Sequence, residues 1–375
     1  MTNPFEYGGV VGEGAFCNRK QEISDLIRAM QNSEKLFLYS ERRFGKTSLV
    51  KLALRKLPKK EFLSAYVDLW PTDGEASFAA ALAKALAESL SSTTEKLLDT
   101  AKKFFGRLVP GLTADEEGRP VLRFDLQASA AGPELEEVLS VPARIAEEGS
   151  RRVVIVLDEF QQILEYETDL VERRLRSAIQ NHRNVSYIFL GSRKHLIQKM
   201  FLDKSRPLYR AAGHYPLKAI EADDWVPFIR KRFADAGKSI SHDRILSLCE
   251  LTEGHPFYTQ HLCHVLWDQC PESSAVTQEA MDAALGVLLD RESYAYTTLW
   301  GSLAINQKRV LRGLAQEPGK VQPFSAEFTQ RYGLGSASNA QRAIEALLEK
   351  DAIDRDNGSF VIVDRFFRIW IQRQD

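Results

Sequence analysis

Two segments hold residues whose types and spacing suit one kind of chemistry. The first is Leu36-Phe37-Leu38-Tyr39-Ser40-Glu41-Arg42-Arg43-Phe44-Gly45-Lys46-Thr47-Ser48, an apolar stretch ending in Gly-Lys-Thr ahead of a helical pattern. A phosphate-binding loop needs that order. Backbone N–H groups over Arg43, Phe44, Gly45, Lys46, Thr47 and Ser48 wrap the phosphates, the Lys46 ammonium reaches the terminal ones, and the Thr47 hydroxyl ligates Mg²⁺. The second segment, Val153-Val154-Ile155-Val156-Leu157, ends in Asp158-Glu159. Asp158 is expected to hold the metal through water, and Glu159 to orient and deprotonate the attacking water. Together they predict a site for ATP or ADP with Mg²⁺, able to hydrolyse the triphosphate.

The loop departs from G-x-x-x-x-G-K-[ST] at its first position, where Ser40 stands in place of glycine. Ser40 must either take the glycine's conformation at some cost or enter the turn by another path.

Elements around these segments must bring them to one place. Strand-like runs at Lys35–Tyr39, Leu63–Leu69, Arg152–Leu157 and Val185–Leu190, with a weaker one at Tyr215–Ile220, alternate with helical patterns. Such alternation predicts an α/β fold with a parallel sheet, helices on both faces and the nucleotide at the carboxyl ends of the strands. Ser192, just past the fourth of these runs, is placed to sense the γ-phosphate. The stretch 109–133 interrupts the alternation with Pro110, Gly111, Gly118 and Pro120, and reads as a surface hairpin inserted in the domain. Before it, Lys96–Phe105 reads as a basic amphipathic helix, either a solvated face or a contact for assembly or DNA.

Helical patterns alone follow, at Asp224–Ala234, Asp243–Leu251, Phe257–Gln269 and Gln278–Arg291, and predict a helical lid. Then come helices at Asn306–Ala315, Ser325–Tyr332 and Ser338–Lys350, and two strands around Asp356-Asn357-Gly358, a strong hairpin signal. Three helices and a hairpin make a winged helix-turn-helix. The expected domains are therefore 1–221, 222–298 and 299–375.

Bulk properties exclude little but narrow the partners. A chain of 375 residues has room for several cores. Its 50 basic and 51 acidic side chains leave a net charge of −1, so nucleic acid or membrane would have to be met by a local patch. No apolar run is long enough to span a bilayer, and the N-terminus lacks the pattern of a signal peptide. Cys17, Cys249, Cys263 and Cys270 form no C-x-x-C pair and read as reduced thiols. A cytoplasmic protein with no membrane partner is expected. His261, Cys263 and His264 are too close on one helix to form a metal site, so no metal beyond Mg²⁺ is assigned.

Taken together, these pieces resemble the STAND and origin-recognition branch of the AAA+ ATPases, the prokaryotic group typified by archaeal members. Its loop commonly reads small-x-Arg-Arg-x-Gly-Lys-[Ser/Thr], as Ser40-Glu41-Arg42-Arg43-Phe44-Gly45-Lys46-Thr47 does here. The resemblance implies that Phe16-Cys17-Asn18-Arg19-Lys20-Gln21-Glu22, with backbone from Val10 and Val11, cups the adenine. Arg19 and Glu22 also have the spacing of a simple surface pair. Gly254-His255-Pro256 resembles the Gly-x-Pro signature of the lid, where the proline packs on the base; His255 then either approaches the nucleotide or stays exposed at a helix start. The resemblance also places a polar sensor at Ser192, and arginines that reach a nucleotide in the same or a neighbouring subunit at Arg206 and Arg210. Each arginine has surface pairing as its alternative.

Asp364-Arg365-Phe366-Phe367 departs from the more usual Asp-Pro-Phe-Phe at Arg365, and Phe366, Phe367 and Trp370 read as a buried anchor. On the candidate reading helix, Ser338, Asn339, Gln341 and Arg342 are able to touch bases or phosphates of duplex DNA. Glu345, Glu349, Asp351, Asp354 and Asp356 oppose that contact. The functional expectation is a nucleotide switch whose output is self-association, DNA engagement or partner recruitment. The alternatives are a DNA-binding regulator stabilised by a nucleotide it hardly turns over, and an interaction scaffold.

Overall fold

The computed structural model describes residues 2–9, 11–12, 14, 16–90, 103–105, 109–114, 120–125, 131–149, 151–317, 321–356 and 358–374. Two compact units account for the chain: residues 19–40 with 46–217, and residues 1–18 with 41–45 and 218–375.

In the first unit, β1 (Lys35–Tyr39), β2 (Phe62–Asp68), β5 (Arg152–Asp158), β6 (Val185–Gly191) and β7 (Gly213–Pro216) form one sheet in the order β2-β5-β6-β1-β7. Every pairing is parallel. Odd-numbered residues such as Phe37, Ala65, Ile155, Tyr187 and Phe189 join one apolar cluster with the helix Glu75–Leu90, while even-numbered Leu38, Val156 and Ile188 are buried too. Strands covered on both faces need continuous apolar runs, which is why Val153–Leu157 shows no alternation. The last strand is shorter and earlier than its apolar pattern suggests, because Pro216 closes it.

Helices α1 (Lys20–Gln31), α2 (Lys46–Lys56), α3 (Glu75–Leu90), α4 (Ala131–Gly149), α5 (Leu170–Asn181) and α6 (Lys194–Leu202) connect or flank the strands. The expected hairpin is present as antiparallel β3 (Val109–Ala114) and β4 (Pro120–Asp125), and its continuation at 126–130 lies outside the described residues. Most of the expected basic helix at 96–105 also lies outside them.

The second unit is helical up to its hairpin. It holds α7 (Ala222–Ala234), α8 (His242–Thr252), α9 (Pro256–Gln269) and α10 (Gln278–Gly301). After these come α11 (Ile305–Gln316), α12 (Ala326–Arg331), α13 (Ala337–Glu349), the antiparallel pair β8 (Ile353–Asp356) and β9 (Ser359–Ile362), and α14 (Arg365–Gln372). One apolar cluster runs from Trp225 and Leu262 through Leu288 to Val310, Phe366 and Trp370. Phe366 and Phe367 are buried as the anchor, and the Asp364 carboxylate caps their helix by accepting from both their N–H groups at 2.9 and 3.0 Å. The helix α10 runs well past the expected end at Arg291, since nothing in Glu292–Leu299 breaks it.

Gly254 links α8 to α9 in a left-handed conformation (φ 61°). Its carbonyl accepts from Ile220 N at 3.1 Å and from the Trp225 indole at 3.2 Å, and a Cβ there would run into the Ile220 carbonyl. Only glycine fits this turn. The four cysteines are buried thiols outside any disulfide. No helix of the described residues is long and apolar enough to cross a membrane.

Candidate functional site

Parallel strands end on one side of the sheet, so the residues that follow β1, β5 and β6 gather there. Ser40 is fully buried beyond β1, with its N–H directed to the Gly191 carbonyl at 3.4 Å. Its backbone is not left-handed; Arg43 (φ 60°) and Gly45 (φ 82°) are. The loop therefore takes the second of the two paths open to a serine at its first position. The Ser40 side chain has its own part, accepting from the buried Lys46 ammonium at 3.1 Å while the Ser40 carbonyl accepts at 3.3 Å.

Thr47 Oγ1 donates to Asp158 Oδ2 at 2.8 Å. Asp158 is only 6% exposed. A hydroxyl and a carboxylate converging from the starts of α2 and the end of β5 form the oxygen donor set that a hard dication takes, directly or through water. These residues fit Mg²⁺. Tyr66, on β2 beside Val156 of β5, also donates to Asp158 Oδ2. Burial, reinforced by the Asp158 charge, pushes the Tyr66 phenol well above its usual range, so it stays a proton donor.

Glu159 turns the chain out of the strand in a left-handed conformation (φ 50°). Its Oε2 accepts from Ser192 Oγ at 2.7 Å and from the Gln161 amide. Gln161 also approaches Ser192 Oγ at 3.4 Å and is buried. A Cβ on Gly191 would strike the Ile197 side chain and approach Gln161, so the residue before Ser192 has to be small. Ser48 is buried on the first turn of α2.

In the helical unit, His255 is 1% exposed. It caps α9, its Nδ1 accepting from Phe257 N at 3.2 Å, while its Nε2 lies 3.2 Å from the Arg42 carbonyl. The reading of His255 as an exposed residue is thereby corrected: the Gly254 turn folds its ring inward against Phe44, with ring centroids 4.3 Å apart. Pro256 holds the first position of that helix, where its missing N–H costs nothing. The Arg43 guanidinium lies 4.3 Å above the Phe257 ring, and Arg42 pairs with Asp351 at 3.1 Å.

Of the expected adenine segment, Val10 lies outside the described residues and Val11 is half-buried. Asn18 and Arg19 are both left-handed (φ 56° and 69°), and Arg19 pairs with Glu22 at 2.6 Å. Arg19 is 5% exposed, so this pair is not the surface one that spacing alone suggests.

Residues 16–262 match the family model described as "ATPase domain predominantly from Archaea", a span that holds the loop, Asp158-Glu159 and Gly254-His255-Pro256. The chain belongs to this archaeal-type ATPase family. Residues 294–373 match a model described as a probable winged helix domain. Among solved structures, the chain is similar to the Walker-type ATPase of Pyrococcus abyssi, at 17% identity and TM-score 0.66, over 98% of this chain and 99% of that one. It is also similar to the ORC2 protein of Aeropyrum pernix solved in ADPNP–ADP complexes, at 13% identity and TM-score 0.53, over 99% and 98% of the two chains. At such identities the likeness shows the fold. No curated protein sequence matches the chain.

The archaeal-type ATPase engages its two candidate arginines differently. Arg206 is paired with the buried carboxylate of Glu172. Arg210 takes a left-handed backbone (φ 52°) and stacks 5.2 Å from the ring of its neighbour Tyr209. On α13, Ser338, Gln341 and Arg342 are exposed. Arg342 donates to Asn339 Oδ1 at 2.8 Å, Asn339 donates to the Leu334 carbonyl at 3.0 Å, and Gln341 donates to Glu345 at 3.0 Å.

Sequence reasoning overlooked Tyr66 and Gln161 in this ATPase, and marked Arg365 only as a departure from the family pattern. Tyr66 carried no signal that spacing reveals, because its place beside Asp158 depends on the strand register that pairs Asp68 with Asp158. Gln161 carried none either.

Proposed function

We propose that this ATPase is a switch of the STAND type, in which the bound nucleotide sets the disposition of the lid helices and the winged helix. The observation that supports this reading is local to the loop. Residues 41–45 belong to the same unit as the lid and the winged helix, and within them Arg42 touches both His255 of the lid and Asp351 beside the wing. A loop that wraps phosphate and also touches those elements gives bound nucleotide a route to them, provided it binds their two dispositions unequally.

In this reading Lys46 and the loop N–H groups bind the phosphates, with Val10, Val11, Asn18, Arg19 and Pro256 about the base. Thr47 and Asp158 would hold Mg²⁺, which when bound would neutralise charge on the phosphate oxygens. Glu159 takes the proton of the attacking water, and Ser192 steadies Glu159 or the water. Arg210, together with Arg206 once freed from Glu172, supplies positive charge to the transferred phosphoryl group in the same or a neighbouring copy, which makes self-association part of the proposal. Phosphate release should exceed the protein concentration in the presence of Mg²⁺. Amide exchange across 337–349 and 365–372 should differ between ADP and a non-hydrolysable ATP analogue. Identical exchange in both states would refute the switch.

A second output, duplex DNA, is favoured by the exposed Ser338, Gln341 and Arg342 on α13. Fluorescence anisotropy on duplex DNA at two salt concentrations tests it. Arg342→Ala should weaken binding without sequence preference and reduce the salt slope by about one, as loss of a phosphate contact does. A loss of about 1–3 kcal/mol confined to one site would instead mark base reading. No binding at low salt removes DNA and leaves the winged helix as a clamp.

A further inference from the structure

A carboxylate in the sequence of a phosphate loop adds negative charge to a segment that has to take an anion. Glu41 is such a residue, next to Ser40 and five positions before Lys46, and only 5% exposed. Its carboxylate meets the guanidinium of Arg365, equally buried, at the start of α14. Arg365 continues to Glu253 through Nε at 2.9 Å, and Arg368 pairs with the second oxygen of Glu253. The Val363 carbonyl, accepting from Arg365 at 2.9 Å, fixes the guanidinium against the end of the wing.

Burial works against the Arg365 charge, but Glu41 and then Glu253 outweigh it and hold the proton more tightly than usual. Burial likewise disfavours the Glu253 charge, and Arg365 with Arg368 draws its carboxyl below the usual range. Alternating charges thus run from the phosphate loop, through the residue that ends α8, to the last helix of the chain. Breaking a buried ion pair from one side leaves a charge without its compensation, whereas neutralising both sides does not.

We infer that Arg365 is a positioning residue for the phosphate loop: it neutralises Glu41, so that the loop accepts phosphate while α14 is docked against it. The inference rests on the nucleotide-switch reading and supplies the contact through which that switch would act. The departure from Asp-Pro-Phe-Phe at Arg365 gains a purpose, since proline could not carry the charge. Linkage adds a consequence: if docking of α14 raises nucleotide affinity, bound nucleotide must strengthen that docking by the same factor.

The test is a double-mutant cycle in the full chain, with the Kd for a fluorescent ATP analogue measured in the wild type, Arg365→Gln, Glu41→Gln and the double variant. The wild type should bind, and Arg365→Gln should bind about tenfold more weakly, within the usual range of coupling between sites. In the Glu41→Gln background the same Arg365→Gln change should cost less than about threefold, a suppression that general damage to the fold would not show. Equal losses in both backgrounds, or no loss from Arg365→Gln, overturn the inference and leave nucleotide binding standing. Failure of the wild type to bind overturns both. Should Arg365→Gln not fold, Glu41→Gln alone decides through amide exchange across 365–372, which should quicken in the absence of nucleotide; unchanged exchange overturns the inference.

Discussion

Glu159→Gln is expected to bind ATP as the wild type does while turnover falls by a factor of about 10²–10⁴, the usual contribution of a positioned general base. The substitution is nearly isosteric. The glutamine carbonyl can still accept the Ser192 hydroxyl, which lies 2.7 Å from the carboxylate, so the local geometry survives. What disappears is the capacity to take a proton. Phosphate release under multiple turnover gives the rate, and equilibrium binding of the same variant shows that the site persists. Hydrolysis by Glu159→Gln at the wild-type rate would remove Glu159 from the chemistry and shift attention to Asp158, whose substitution should act on the Mg²⁺-dependent part of binding instead.

Lys46→Ala should abolish or greatly weaken nucleotide binding in a folded protein. Truncating one member of a buried, hydrogen-bonded charge pair costs about 2–5 kcal/mol, so the Kd should rise roughly thirtyfold or more. The fold should tolerate the change, because alanine favours the first turn of α2 and the ammonium's partners there include the carbonyl and hydroxyl of Ser40. Titration calorimetry measures the affinity, and circular dichroism confirms the fold. Unchanged affinity in a folded variant would overturn the reading of 40–48 as a phosphate loop.

The parts of this protein that its sequence determined alone are those in which chain neighbours do the work. Val153–Leu157 reads as a strand because a parallel strand buried on both faces must be apolar throughout, and Gly45-Lys46-Thr47 reads as a phosphate loop because a helix has to start at that point. The wing reads as a hairpin because Asn-Gly permits the turn; its two strands pair antiparallel at Ile353–Asp356 and Ser359–Ile362. Tertiary structure decided the rest. Nothing in spacing says that Tyr66 from the neighbouring strand donates to Asp158, that Gln161 turns back on Glu159, or that Ser40 holds Lys46 rather than opening the loop. The burial of His255 needed the left-handed turn at Gly254, and the pairing of Glu41 with Arg365 needed α14 to fold back on the loop. An ion pair between distant positions has no periodicity to betray it. Its partners are chosen by how the helices pack, and only the folded chain holds that information.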